Sequence, residues 1–274
     1  KKTRIRIIQA ETMVGDKTSG DELNIFTGDV IFEHDSAFLY CDSAVLNSEK
    51  NNVEAFFDVR IEVSDTLNLY GDYLNYNGNT RLATMTGNVK LIDNDATLYT
   101  DRLLFNRSTE IAYYTTGGRI ISEENELTSE LGYYYTFEKT AYFKEDVRLT
   151  NPDYLLLSDT LIYNTYTKIV QISGPTTIEG DQEFLYAEDG WYNTTNDKLK
   201  LRENPYLRYR EQFLYGDSLR YEKAIGIGKA LGNVLIRDTV QNVLVRGHYA
   251  DYRRSGGYAF VTDSAVAVLI DKTD

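Results

Sequence analysis

An acidic residue returns along most of this chain at an almost constant interval. It stands at Asp42, Asp72, Asp101, Glu130, Asp159, Glu188 and Asp217, with steps of 30, 29, 29, 29, 29 and 29 residues and a degenerate eighth copy at His248. A period of this size marks stacked supersecondary units, none of which buries its apolar side alone. Three places before the acid runs an aliphatic ladder, Leu39, Leu69, Leu98, Leu127, Leu156, Leu185, Leu214 and Val245. One place before it stand small residues, Cys41, Gly71, Thr100, Ser129, Ser158, Ala187, Gly216 and Gly247, on the same strand parity as the ladder. Close packing beneath a bend excludes large side chains from such a column. Four places after the acid come Leu46, Tyr76, Phe105, Tyr134, Tyr163, Tyr192, Tyr221 and Tyr252, and in five copies Asn follows: Asn47, Asn77, Asn106, Asn164 and Asn193. Asn tolerates the left-handed conformation, which predicts a turn there in each copy.

The other half of each unit alternates apolar and polar residues after a turn residue, as in Gly28-Asp-Val30-Ile-Phe32, Gly87-Asn-Val89-Lys-Leu91 and Gly232-Asn-Val234-Leu-Ile236. With 23 Tyr, 11 Phe and only 3 Pro, the composition also favours strands. The expectation is an all-β fold with four short strands per unit, and Asn77-Gly78 as the clearest hairpin signal. Leucine-rich repeats of similar period need a helical segment, and propeller blades are about 40–50 residues long. What remains is an elongated stack of two facing antiparallel sheets, about 80–90 Å long at the usual strand spacing. The unbroken register predicts one elongated domain over residues 1–274: an N-terminal cap at 1–27, about eight repeats over 28–262 and an incomplete last repeat at 263–274. Ile5-Arg6-Ile7-Ile8 would cap the stack, and Gly15-Asp16-Lys17-Thr18-Ser19-Gly20 reads as a loop insert.

The formal net charge of −13 repels a phosphate backbone, so nucleic acid is not expected as a partner. The single cysteine, Cys41, allows no intramolecular disulfide and no CxxC site, and reads as a small strand residue. The two histidines, His34 and His248, lie about seven units apart and read as surface residues; no catalytic triad, metal site or cofactor is expected. Acids one per repeat are roughly 10 Å apart, too far to share a calcium ion or form a glycosidase pair. They are expected to accept turn hydrogen bonds, and an enzyme acting on polysaccharide finds no clustered acids here. No run approaches the roughly 18–20 apolar residues of a membrane-spanning helix, which predicts a soluble chain; it begins Lys1-Lys2-Thr3-Arg4-Ile5 without a secretory leader, so an exported protein would be given in mature form. The ladder admits two readings, a dry core between sheets or a groove open to acyl chains, and periodicity leaves both open.

The run from Phe26 to Ala44, with Leu69-Tyr-Gly-Asp-Tyr-Leu-Asn-Tyr76, Gly87-Asn-Val-Lys-Leu-Ile-Asp93 and Tyr215-Gly-Asp-Ser-Leu-Arg-Tyr221, resembles the OstA-like, LptA-like domain of lipopolysaccharide transport, in particular the long OstA-like proteins of Bacteroidetes-type bacteria. The resemblance covers nearly the whole chain. It implies an open, elongated β-jelly roll in the periplasm that binds the acyl chains of lipopolysaccharide, or a related acylated lipid, and passes the lipid toward the outer membrane without catalysis. By strand parity the groove-lining candidates are Leu39, Leu69, Leu98, Leu127, Leu156, Leu185 and Leu214 with Tyr76, Phe105, Tyr134, Tyr163, Tyr192 and Tyr221. The resemblance further implies partners among other lipopolysaccharide-transport proteins, joined through edge strands, and a possible end-to-end homo-oligomer. Lipid phosphates would stay outside the groove near cations such as Arg208, Arg210 and Lys223. The competing expectation is a cell-envelope scaffold with a closed core that assembles through its terminal edges.

Overall fold

In the computed structural model, residues 3–16, 23–94, 96–222, 224–253, 255 and 258–270 are described. They form an all-β protein, and no α-helix occurs among them. The chain divides into two compact units, Lys1–Glu138 and Lys139–Asp274. The first contains β1 (Arg6–Gln9), β2 (Thr12–Asp16), β3 (Leu23–His34), β4 (Ala37–Asn47), β5 (Asn52–Glu62), β6 (Leu67–Asn77), β7 (Leu82–Asp93), β8 (Ala96–Asn106), β9 (Ile111–Tyr114), β10 (Gly118–Ser122), β11 (Asn125–Ser129) and β12 (Leu131–Tyr135). The second contains β13 (Thr140–Asn151), β14 (Tyr154–Asn164), β15 (Ile169–Gly180), β16 (Glu183–Asn193), β17 (Lys198–Arg202), β18 (Tyr206–Tyr209), β19 (Gln212–Tyr215), β20 (Ser218–Glu222), β21 (Ile227–Asp238), β22 (Val243–Arg253), β23 (Tyr258–Thr262) and β24 (Val266–Leu269).

A repeat is two long strands, each bent in its middle, where four short ones were expected. The ladder register slips at the bend, between Thr27 and Val30 of β3, Tyr40 and Ser43 of β4, Phe56 and Val59 of β5, and Tyr70 and Tyr73 of β6. Every second strand places two residues of positive φ in the slip: Gly28 (80°) and Asp29 (44°), Gly87 (77°) and Asn88 (47°), Gly232 (68°) and Asn233 (44°). Such a bulge turns the strand and reverses which parity faces inward, so both halves present apolar side chains to one lumen. Leu39 and Cys41 are thus buried together with Ala44 and Leu46. The small column packs inside this corner, where a Cβ on Gly71 would stand 2.6 Å from Met85 Cγ.

Three of the seven acids sit over the bulge of the next strand and accept hydrogen bonds from it. Asn88 donates to Asp72, Asn204 to Glu188 and Asn233 to Asp217, each across 16 residues. Glu11 extends this column one copy earlier, its amide donating to Gly28 O while its carboxylate fills the space a Gly28 side chain would need.

The turns after the Asn column occur where expected, for a different reason. Asn77 Oδ1 accepts from the amides of Asn79 and Thr80, and Asn106, Asn164 and Asn193 repeat the pattern. The left-handed residue is the fourth after Asn: Asn51 (φ 54°), Arg81 (59°), Glu110 (56°), Lys168 (57°) and Asp197 (54°). Asn77-Gly78 is therefore not a two-residue hairpin, because the side-chain acceptor winds a longer turn. β1 pairs with β3 at the start of the first unit, close to the expected capping strand. Gly15 and Asp16 belong to β2 and not to a loop, while Lys17, Thr18, Ser19 and Gly20 lie outside the described residues.

Candidate functional site

The leucine ladder is half of a denser structure. Directly opposite its members stand residues of the alternate strands, giving the row Phe32, Leu39, Ile61, Leu69, Leu91, Leu98, Ile120 and Leu127 in the first unit. The second unit continues in kind with Leu149, Leu156, Ile178, Leu185, Leu207, Leu214, Ile236 and Val245. Most of the intervening members carry a sequence signal, since Phe32, Leu91, Leu149, Ile178, Leu207 and Ile236 stand four places after a bend glycine or acid, while Ile61 and Ile120 stand three after Asp58 and Gly117. The facing half-strands carry the aromatic column, and Tyr76 and Phe105 flank Ala83 as Tyr163 and Tyr192 flank Val170. A small or short neighbour leaves each ring room to lie inward.

All thirteen candidate residues therefore belong to lumen-facing rows, but the two units fill their lumens differently. In the first, Leu39 (7% exposed), Leu69 (2%), Leu98 (9%), Tyr76 (6%) and Phe105 (4%) are buried, and Leu127 and Tyr134 are half-buried. Bulky residues along the corner, among them Phe26, Leu74, Met85 and Leu103, complete the packing, and one continuous cluster results. The cavity left between Ile5, Phe32, Leu39, Tyr76 and Phe105 is about 30 Å³, room for a single water.

Polar contacts close this lumen at one end. His34 Nδ1 lies 2.7 Å from the Tyr76 hydroxyl, and Nε2 lies 2.9 Å from Thr3 Oγ1. Arg107 donates to the carbonyls of His34 and Asp35, both at 2.9 Å, and Arg81 pairs with Asp35 at 2.7 Å. The Thr3 hydroxyl, with His34, Arg81 and Arg107 nearby, holds the Asp35 carboxyl below its usual range. The Ile5 amide donates to Asn51 Oδ1, anchoring the N-terminal segment while the Ile5 side chain is 7% exposed. His34, expected at the surface, is buried because Tyr76 and Thr3 satisfy both ring nitrogens; His248 is exposed as expected.

In the second unit Leu161, Ile172, Leu201, Leu219 and Val234 are buried at the corner beside smaller residues. Ala187, Gly190, Ala230, Gly247 and Ala250 are buried there, and Leu185, Leu199, Leu207, Leu214 and Ile236 above them are only half-buried. Leu156 is 4% exposed, while Tyr163, Tyr192 and Tyr221 are half-buried. Tyr192 donates to Asp197, and burial together with that carboxylate raises its hydroxyl pKa strongly. Large apolar side chains of the second unit are thus left partly exposed, and the Tyr192 ring is held at its polar tip.

No group of three or more potential metal-ligating side chains occurs among the described residues. Cys41 is buried, and desolvation pushes its thiol up to about 12, as befits a small packing residue. Arg208 lies over the Phe184 ring (5.5 Å) and Arg210 over Tyr209 (5.3 Å); Lys223 lies outside the described residues. No helix of the described residues is long and apolar enough to cross a membrane.

Residues 2–159 match the family described as OstA-like protein. No curated protein matches the chain. Among solved structures, the chain is similar to LptH of Pseudomonas aeruginosa, described as the LptA-homologous periplasmic component of the conserved lipopolysaccharide transport device, at 15% identity and a TM-score of 0.37 over 39% of this chain and 82% of that one.

Proposed function

We propose, from the premise that the chain belongs to the OstA-like protein family, that it is a non-catalytic periplasmic lipid carrier whose second unit holds the acyl chains of lipopolysaccharide or a related acylated lipid. The observation that carries this reading is the half-buried apolar row Ile178, Leu185, Leu207, Leu214 and Ile236. Half-buried aliphatic side chains bordering an apolar slot gain from any hydrocarbon that displaces water, at roughly 0.8 kcal/mol per buried methylene. Tyr163, Tyr192 and Tyr221 border the same slot, and Leu156, 4% exposed, packs as core beside it. Leu39, Leu69, Leu98, Tyr76 and Phe105 act in the first unit as packed core.

The test is native mass spectrometry with dephosphorylated lipopolysaccharide and with the same molecule deacylated. An adduct with the acylated form alone, lost when Leu185 and Leu214 are both changed to Asp in a protein that keeps its β circular dichroism, is the expected result. A folded wild-type protein that takes up no acylated lipid would overturn the reading.

The filled first unit favours a scaffolding role for that part of the chain, and its assembly through edges rests on the end strands. Ile8 (53% exposed), Met13 (61%) and Val14 (60%) lie on β1 and β2, which pair only with β3 among the described residues. Val266 (55%) and Leu269 (80%) lie on β24, which among the described residues pairs only with β22. Unpaired edges carrying apolar side chains are suited to strand addition by neighbouring transport proteins or another copy.

A further inference from the structure

The outer face of the second unit carries an unbalanced charge arrangement. Lys200 on β17, Arg220 on β20 and Lys229 on β21 occupy directly opposed positions on three consecutive strands. Like charges directly opposite one another destabilise a sheet, and a chain of net charge −13 has carboxylates enough to avoid it. Yet none of the three cations has a hydrogen-bond or ion-pair partner among the described residues. The acids nearby are otherwise engaged: Asp189 holds Arg202, Glu222 holds Lys198, Asp217 accepts from Asn233, and Asp251, next to Lys229 in the same row, is held by Arg253 and Tyr249.

Beside this row the sheet is hollowed. At the paired ends of β17 and β20, where Arg202 stands opposite Ser218, a basin of about 640 Å³ is lined by Lys200, Arg202, Arg220, Ser218 and the carboxylates of Asp189, Glu203 and Asp217. Trp191 stands directly opposite Lys200 at the other end of the row.

We infer that this basin binds a phosphorylated sugar. The unpaired Lys200 and Arg220 supply donors for a phosphate, with the Arg220 guanidinium able to engage two oxygens at once. The carboxylates of the lining accept hydrogen bonds from sugar hydroxyls. The volume lies within the range of small-ligand sites. The basin opens on the outer face of strands whose inner residues Leu201 and Leu219 are buried, so it is separate from the slot and does not depend on it.

The experiment is calorimetric titration of the full chain at low salt with glucosamine 1-phosphate, inorganic phosphate, unphosphorylated glucosamine, and deacylated lipopolysaccharide that retains its phosphates. Glucosamine 1-phosphate should bind more tightly than phosphate, and glucosamine should not bind. Arg220→Gln should weaken the sugar phosphate about tenfold or more, as loss of a charge-assisted bidentate contact does, without lowering the melting temperature, since it relieves like-charge opposition. Equal affinity for the deacylated lipopolysaccharide identifies a lipid headgroup as the source, and binding of glucosamine 1-phosphate alone a soluble sugar phosphate. No binding of glucosamine 1-phosphate, unchanged affinity in Arg220→Gln, or marked thermal destabilisation by that substitution would overturn the inference. Uptake of dephosphorylated acylated lipid reads the slot separately, so either site fails without the other.

Discussion

Leu69 and Leu185 occupy the same column of the repeat, and substituting them identically separates a filled lumen from an open one. Leu69 is 2% exposed between Ile61 and Leu91, so Leu69→Ala removes fully buried carbons and leaves a cavity in a close-packed cluster, a loss of about 3–5 kcal/mol. Leu185 is half-buried between Ile178 and Leu207, so Leu185→Ala forfeits part of the transfer energy and encloses no new void, a loss of about 1–2 kcal/mol. With a urea dependence of about 2 kcal/mol per molar, the midpoint falls by about 2 M in the first case and by less than about 1 M in the second. Enlarging the side chain reverses the sign of the comparison. Leu69→Phe overpacks and costs about 1–3 kcal/mol, whereas Leu185→Phe fills open apolar space, leaves stability unchanged or raised, and reduces uptake of acylated lipid. Urea unfolding followed by circular dichroism, with the single Trp191 on β16 reporting the strand that carries Leu185, measures all four variants. Equal losses from the two alanine variants, or destabilisation by Leu185→Phe matching that by Leu69→Phe, would refute the account of the two lumens.

The remaining predictions concern the corners, the closure and the buried thiol. Gly232 has φ 68° and a Cβ there would stand 2.1 Å from Asp217 Oδ2, so Gly232→Ala should cost more than Gly117→Ala, where φ is 82° but the nearest atom is 3.9 Å away; thermal melts of the two variants provide the comparison. Because the Asp35 carboxyl is held below its usual range by Thr3 and the neighbouring cationic groups, its stabilisation is present above the ordinary carboxylate pKa and lost as pH falls through the depressed folded value. Asp35→Asn should therefore be less stable than wild type at neutral pH, and the gap should close below about pH 4 in a urea series run against pH. Cys41, with its thiol near 12, should resist iodoacetamide at pH 8 in the native protein and react once urea exposes it, as read by mass spectrometry.

Much of the architecture is local, and was legible for that reason. The 29-residue period, the inward ladder and the small corner column each follow from side-chain parity within one or two strands. The acids were readable as turn acceptors, though not their Asn partners, which lie 16 residues away across the bend. Turn positions were predictable from Asn while turn geometry was not, because the left-handed residue is the fourth after it and includes Arg81, Glu110 and Lys168, which carry no turn signal of their own.

Tertiary structure decided what the two facing halves do together. His34 looked like a surface residue because nothing near it in the chain supplies partners; Tyr76 and Arg107, 42 and 73 residues away, do so across the lumen. Whether that lumen is filled depends on a sum of volumes over both faces: Phe26, Leu74, Met85 and Leu103 with Ala44 and Ala55 beneath one ladder, Leu201 and Leu219 with Ala187, Gly190, Ala230 and Ala250 beneath the other. The outer cation row is likewise assembled by strand pairing, since Lys200, Arg220 and Lys229 become neighbours only through register. A single chain determines which side of each strand is apolar; the space those sides enclose is set by residues distant in sequence, through packing that no column records alone.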